Sequence, residues 1–342
     1  MKQSYKLVEL TPEEFENFVK NKKPNNFLQS REMFSRYQKD GKEAYLLGLL
    51  SADKTSEILL ASLVVKLGEI RGQKTFSAPG GPIFDYENEN WKNRLEAFLS
   101  LVKPFLKSKH GMTLQISPNI AVESGQSAPD LPGMKALGEY VQCKWISVLN
   151  LEDKTEDFDV LLSTFRKTHR QNIRHGENRY FLETRELSYD ELPILKKLAE
   201  KAGEKHGFHD QSLEYYEEMF RAFGNKLKVF ATFYEGKPIA AAMFILYGDE
   251  VVYLYSGSDP EYNKIAGSYS LQWFMIKYAI SHGFKRYNFY GVRPEPGNGV
   301  FEFKAGFRAE VEELWGTYIL PLSPLGKLYC LKKKYHKYGE VA

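Results

Sequence analysis

The feature that most limits the fold is an order of elements that occurs twice. Residues 43–50 and 57–66 are short runs rich in Leu, Val and Ile, separated by a polar turn, and 74–78 is a third strand candidate ended by Pro79-Gly80-Gly81-Pro82. Residues 91–107 follow, with Leu95, Phe98, Leu99, Val102, Phe105 and Leu106 at helical spacing. His110-Gly111 ends that helix, and 112–116 is the next strand. In the second half, 228–233, 239–247 and 251–256 read as strands and 268–281 as a helix. His282-Gly283 ends it, and 286–290 is a strand. The two His-Gly pairs lie 172 residues apart (282 minus 110). Glycine is a common helix end, and His-Gly recurs at 175–176 and 206–207. The prediction of a tandem duplication of one α/β unit therefore rests on the order and lengths of the elements.

Thr11-Pro12-Glu13-Glu14 is a capping box with proline at the first helical position, and 29–38 reads as a second short helix. Three further helices are predicted between the halves, over 156–175, from the capping box Ser188-x-x-Glu191 to about Gly207, and over 213–223. No heptad pattern is sustained, so no coiled-coil arm is expected. The expected division is 1–150 for the first domain and 151–317 for the second, with 318–342 packing back on the first. A length of 342 residues suits about two domains. Two cysteines, Cys143 and Cys330, exclude a disulfide scaffold and a Cys-rich zinc site. The formal charge of +3 argues against wholesale coating of nucleic acid. The longest apolar run, 239–246, is far short of the ~20 residues a spanning helix needs. A cytoplasmic protein is expected, with peripheral contact at the inner membrane face allowed.

His206, His209 and Asp210 straddle a helix end and lack a fixed ligand face, so no metal site is expected. No P-loop, dinucleotide fingerprint or Gly-x-Ser-x-Gly elbow occurs. Arg166, Lys167, Arg170, Arg174 and Arg179 form the densest basic cluster, with His169 and His175 among them. Arg166, Arg170 and Arg174 at helical spacing share a face, either a solvated surface or a grip for tRNA or nucleotide phosphates. A second basic run, Lys327, Lys332, Lys333, Lys334 and Lys337, reads as a solvated terminal helix or as a contact for RNA or anionic lipid. On a regular strand Tyr253 and Tyr255 point to one face, as core or as the wall of a cleft. Gly297 to Phe307 is a glycine loop entering an aromatic run with one lysine, Lys304.

The strand-strand-strand-helix-strand unit resembles the acyl-CoA N-acyltransferase (GNAT) fold. Two tandem GNAT-like domains are expected, an α/β chain of mixed sheets flanked by helices. That fold's CoA loop is incomplete here: Asn263-Lys264-Ile265-Ala266-Gly267-Ser268 has one glycine in place.

Five segments in order make the resemblance more specific. They are Phe27-Leu28-Gln29-Ser30-Arg31-Glu32-Met33-Phe34, Pro79-Gly80-Gly81-Pro82, Thr168-His169-Arg170-Gln171-Asn172-Ile173-Arg174, Tyr253-Leu254-Tyr255-Ser256-Gly257 and Phe301-Glu302-Phe303-Lys304-Ala305-Gly306-Phe307. Together they resemble the Fem family of peptidoglycan-bridge aminoacyltransferases, nearest its arm-less FemX type. The resemblance implies transfer of a small amino acid (Ala, Ser or Gly) from aminoacyl-tRNA to the lysine ε-amine of a peptidoglycan precursor, UDP-MurNAc-pentapeptide or a lipid-linked form. No cofactor or metal beyond the aminoacyl-tRNA co-substrate is implied, and a monomer is expected. It also implies Lys304 and Phe303 as the catalytic pair, and Tyr215, Tyr253 and Tyr255 as precursor contacts. Arg36 is implied at the nucleotide phosphates. Gln211 stands where the FemX pattern has arginine, and Ser117-Pro118 where the family often has Asp-Pro. The competing readings are a CoA-dependent N-acyltransferase and a non-catalytic RNA- or precursor-binding module.

Overall fold

The computed structural model describes residues 4–20, 22–24, 26–52, 57–137, 143–152, 154, 156–206 and 210–332. His209 and the basic residues Lys333, Lys334 and Lys337 lie outside the described residues. The chain forms two compact units, Met1–Lys144 with Glu313–Ala342, and Trp145–Glu312.

In chain order the first unit contains β1 (Tyr5–Glu9), α1 (Pro12–Val19), α2 (Arg31–Lys39), β2 (Ala44–Ser51), β3 (Ile58–Ile70), β4 (Gln73–Gly80), β5 (Ile83–Phe84), α3 (Trp91–Ser108), β6 (Gly111–Pro118) and β7 (Lys135–Leu137). The second contains β8 (Trp145–Asn150), α4 (Phe158–Thr164), α5 (Lys167–Asn178), β9 (Glu183–Glu186), α6 (Leu192–His206), α7 (Leu213–Phe223), β10 (Leu227–Tyr234), β11 (Lys237–Tyr247), β12 (Glu250–Ser258), α8 (Gly267–Ser281), β13 (Arg286–Gly291), α9 (Gly299–Gly306) and β14 (Glu310–Glu313). The chain then returns to the first unit as β15 (Thr317–Pro321) and α10 (Pro324–Lys332).

Local chemistry sets several starts. Thr11 and Glu14 close the capping box at α1, and the Ser30 hydroxyl accepts from Met33 N–H at α2. α3 buries Leu95, Phe98, Leu99, Val102 and Leu106, one stripe of a helix whose other side is wet.

The two sheets repeat one plan. Their orders are β1-β2-β3-β4-β6-β15-β7, with β5 beside β3, and β9-β10-β11-β12-β13-β8-β14. β2–β3–β4 and β10–β11–β12 are antiparallel. β4–β6 and β12–β13 are parallel, and α3 and α8 are the crossovers that parallel neighbours need. Antiparallel β15 borders β6, and antiparallel β8 borders β13. The division falls at Lys144/Trp145 and Glu312/Glu313 rather than at 150/151 and 317/318. Residues 145–150 follow the first unit in sequence, but their ladder partners are Arg286 to Gly291.

Two of the motif segments meet in the first unit. The β3–β4 ladder runs to Val65↔Ser77; continued by two residues it would set Leu63 opposite Pro79, which has no N–H to give. Buried Gln29 fills that place. Its Nε2 donates to Leu63 O (3.1 Å) and Pro79 O (2.8 Å), and its Oε1 accepts from Leu63 N–H (2.7 Å). A Cβ on Gly81 would collide with this amide, which is why the strand end needs glycine there. Among the described residues the longest helix is α3, with 18 residues, and none is long and apolar enough to cross a membrane.

Candidate active site in the second unit

The site begins with a defect in the ladder. β12 and β13 pair from Glu250↔Arg286 to Val252↔Asn288 and no further, although both strands continue. Each carries an extra residue at this level. On β12, Tyr253 and Tyr255 face the adjacent residues Phe244 and Met243, so Leu254 is a bulge. On β13 the register against β8 slips between Asn288 and Gly291. There Tyr290 adopts φ 63°, a left-handed conformation costly for a bulky residue. Asn288 supports it by accepting from Tyr290 N–H at 2.7 Å. The strands part at their carboxyl ends, where open α/β sheets commonly bind ligands.

The irregular end of β13 turns two carbonyls toward one side chain. Lys304 Nζ donates to Gly291 O and to Tyr290 O, the latter at 3.4 Å. The lysine is 5% exposed, so it is a buried side chain and not a surface residue. It rides on α9, whose N-cap Asn298 accepts from Val300 and Phe301 N–H, both at 3.0 Å. Phe303 packs edge-on to Tyr269 (5.0 Å between ring centroids) and Phe307 (5.3 Å), geometry that favours aromatic pairs. A buried, fixed ammonium can stabilise an anion forming beside it.

The tyrosines separate. The bulge at Leu254 breaks the period of two, so Tyr253 and Tyr255 point to opposite faces, which corrects the expectation of a shared face. Tyr253 lies against Phe244 and Phe289 and donates to Ser256 Oγ (2.6 Å). Burial pushes its phenol up. Tyr255 lies against Tyr215 and Tyr216, and its hydroxyl donates to Tyr215 OH at 3.0 Å. Tyr215 is on α7, started by the Ser212 cap. Buried Tyr216 donates to Asp210, and Lys196 Nζ bridges Asp210 (3.0 Å) and the Gln211 carbonyl (2.7 Å). Gln211 is thus fixed through its main chain, next in sequence to the Asp210 that Tyr216 bonds.

The basic segment divides as well. Arg166 is the N-cap of α5, not part of a three-arginine stripe, and pairs with Glu302 of α9. Arg170 reaches back to Ser163 O (3.1 Å) and Phe165 O (2.5 Å) at the end of α4. Lys167 and Arg174 are exposed. Arg36, in the first unit, is buried on α2 and pairs with Asp40 one turn on, at 3.2 Å. Sequence reasoning missed Asn288, Tyr290 and Gly291, which act through backbone geometry and leave no mark in composition. It noticed His169 but passed over the signal that His169, Ile173 and Gly176 are the buried face of α5.

The FemAB family profile matches residues 10–130, 131–233 and 230–337. The chain is 25% identical to the aminoacyltransferase FemA of Staphylococcus epidermidis, over 97% of this chain and 100% of that protein. It is 25% identical to FemA of a bovine strain of Staphylococcus aureus, over 96% and 98%. Those alignments run over 426 and 423 positions against 342 residues here, so both relatives hold segments with no counterpart in this chain. In structure the protein is similar to FemX, with a TM-score of 0.80 at 18% identity over 96% of this chain and 100% of that one. It is also similar to a tandem GNAT protein of clavulanic acid biosynthesis, with a TM-score of 0.59 at 11% identity over 94% and 99%. The fold is therefore two GNAT-like units in tandem, and with a profile that spans both of them, the chain belongs to the FemAB family.

Proposed function

We propose that this protein transfers a small amino acid from aminoacyl-tRNA to the lysine ε-amine of a peptidoglycan precursor. The observation that carries the reading is Lys304, a buried lysine held at the parted strands β12 and β13 in a chain of the FemAB family. Its FemA relatives are aminoacyltransferases by name.

The chemistry fits this residue set. The neutral precursor amine attacks the ester carbonyl, a C–N bond forms and the C–O bond to the tRNA ribose breaks. The nitrogen loses a proton and the ribose oxygen gains one. The ester is already activated, so no cofactor is required beyond the aminoacyl-tRNA. A free lysine has a pKa near 10.4, so desolvation of the acceptor amine favours its reactive form. Lys304 stabilises the oxyanion, because its two carbonyl acceptors hold the ammonium in place before charge develops. Phe303 shields that charge from water. Tyr215 and Tyr255 offer the hydroxyl face for the precursor, and Gln211 is assigned to the precursor with them. Tyr253 braces the sheet from the other side. Lys167 and Arg174 are the exposed cations of α5 suited to tRNA phosphates, whereas Arg166 and Arg170 serve internal partners. Arg36, whose guanidinium pairs with Asp40, is the residue assigned to the nucleotide phosphates. UDP-MurNAc-pentapeptide is the favoured precursor, and the protein acts as a monomer.

The test is incubation with alanyl-, seryl- and glycyl-tRNA plus UDP-MurNAc-pentapeptide, followed by product mass. One added residue on the precursor lysine supports the reading and names the donor. Acceptance of lipid-linked precursor alone moves the reaction to a membrane surface. Modification of neither, with transfer from acyl-CoA, overturns the reading.

A further inference from the structure

α9 has eight residues, too few to be stable alone in water. Its last four carbonyls, of Phe303, Lys304, Ala305 and Gly306, have no partner within the helix. Two are met by the chain that follows: Phe307 N–H donates to Lys304 O and Arg308 N–H to Ala305 O, both at 3.1 Å. The other two are met from α5. Arg166 N–H donates to Gly306 O at 3.0 Å, and His169 Nε2 lies 2.8 Å from Phe303 O.

We infer that His169 is a positioning residue for the transfer reaction, its Nε2–H gripping the peptide that joins Phe303 to Lys304 and so fixing where the Lys304 ammonium stands. The inference rests on the role proposed above for Lys304. Phe303 O can only accept, so Nε2 carries the proton and the neutral ring leaves Nδ1 as an acceptor, 3.4 Å from Thr168 Oγ1. The ring is 4% exposed. It is held edge-on by Phe307 (4.7 Å) and Tyr269 (4.9 Å). A Cβ on Gly306 would run into the imidazole, so Gly306 is what lets the helix end close on it. Burial lowers the pKa of the ring, opposed by its bond to Phe303 and reinforced by Arg166, which keeps the neutral tautomer at neutral pH. The Arg166–Glu302 pair ties the start of α5 to α9, and just beyond α9 Arg308 Nε donates to Thr164 O (2.7 Å) at the end of α4. The basic segment therefore acts in part as a clasp on the helix of the catalytic lysine.

The experiment compares His169→Phe, which keeps the ring volume and loses the donor, with His169→Gln, whose amide nitrogen reaches the Nε2 position. Two readouts are needed: single-turnover transfer from the active aminoacyl-tRNA, and hydrogen exchange of the α9 amides without substrate. His169→Phe should lower turnover at least about 10-fold, toward the ~10²-fold that an ångström of misplacement costs. The precursor KM should stay within about threefold, and α9 should exchange faster. His169→Gln should recover most of both. Wild-type turnover in His169→Phe, or lost turnover with α9 exchange unchanged, overturns the inference, as does a folded His169→Gln no better than His169→Phe. If the wild-type protein transfers nothing, the functional reading fails, while α9 exchange still decides the clasp.

Discussion

The two units share strand order, strand direction and crossover helix, yet differ at the seam between their parallel strands. In the first unit β4 and β6 stay paired from Lys74↔Gly111 to Gly80↔Pro118, and Gln29 fills the neighbouring gap beside Pro79. In the second, pairing stops at Val252↔Asn288, and two bulges and a strained Tyr290 turn main-chain carbonyls toward a buried lysine. In one copy of the scaffold the parallel strands stay paired by their backbones, and in the other they part beside a buried lysine. The same topology thus holds a paired seam in one place and a parted seam with a buried lysine in the other, and the difference lies in a few ladder positions.

The sharpest way to break this comparison is Lys304→Met. Removing a preorganised stabiliser of an oxyanion typically costs ~10²–10³-fold in turnover. A loss of that order is expected in single-turnover transfer, with precursor affinity by calorimetry nearly unchanged. Equal losses in both would make Lys304 a binding residue. On the other edge of β6 from the paired seam, Ser117 Oγ and Thr317 Oγ1 of β15 are buried 3.0 Å apart. Replacing them together by Ala and Val should leave turnover intact, since removing both partners of a buried pair is nearly neutral.

Gln29→Ala should act on stability instead. It strands the N–H and C=O of Leu63 and the carbonyl of Pro79, at ~1–3 kcal/mol for each buried unsatisfied group. A loss of about 3 kcal/mol or more is expected in urea unfolding, with turnover per folded molecule retained. Lost turnover at unchanged stability would give the first unit a chemical role.

Double-mutant cycles test the bulge at Leu254. Tyr215→Phe and Tyr255→Phe should couple by about 0.5–1 kcal/mol in precursor binding, because their hydroxyls touch. Tyr253→Phe and Tyr255→Phe should add within about 0.5 kcal/mol, being on opposite faces. Coupling of the second pair would mean that the strand is regular after all.

The smallest effect expected is a pH dependence. His169 has its folded-state pKa lowered by burial, against its bond to Phe303, with Arg166 lowering it further. The unfolded chain therefore takes up this proton first, near the ordinary ~6.5. The contribution is complete above that value and is lost as pH falls through it toward the folded pKa. The stability of the wild type should fall between about pH 7.5 and 5.5 more than that of His169→Phe. Equal slopes would mean that the ring titrates alike in the folded and unfolded chain, so that burial does not lower its pKa.

What was legible in the sequence is what repeats locally. Runs of Leu, Val and Ile, the helical stripe of α3, and the caps at Thr11 and Ser188 are short-range patterns, and they placed strands and helices near where they lie. The order of those elements named the duplicated scaffold, and Phe303-Lys304 pointed to the helix that carries the buried lysine. Tertiary structure alone decided the rest. A bulge changes which way every later side chain points, and no residue type at Leu254 announces it. Arg166, Arg170 and Arg36 look free as text, but each faces an acceptor in the fold: Glu302, the carbonyls of Ser163 and Phe165, and Asp40. β8 pairs with a strand 136 to 145 positions away rather than with its neighbours. Local periodicity is written in adjacent residues, whereas ladder partners, buried acceptors and strained carbonyls exist only once distant segments have met.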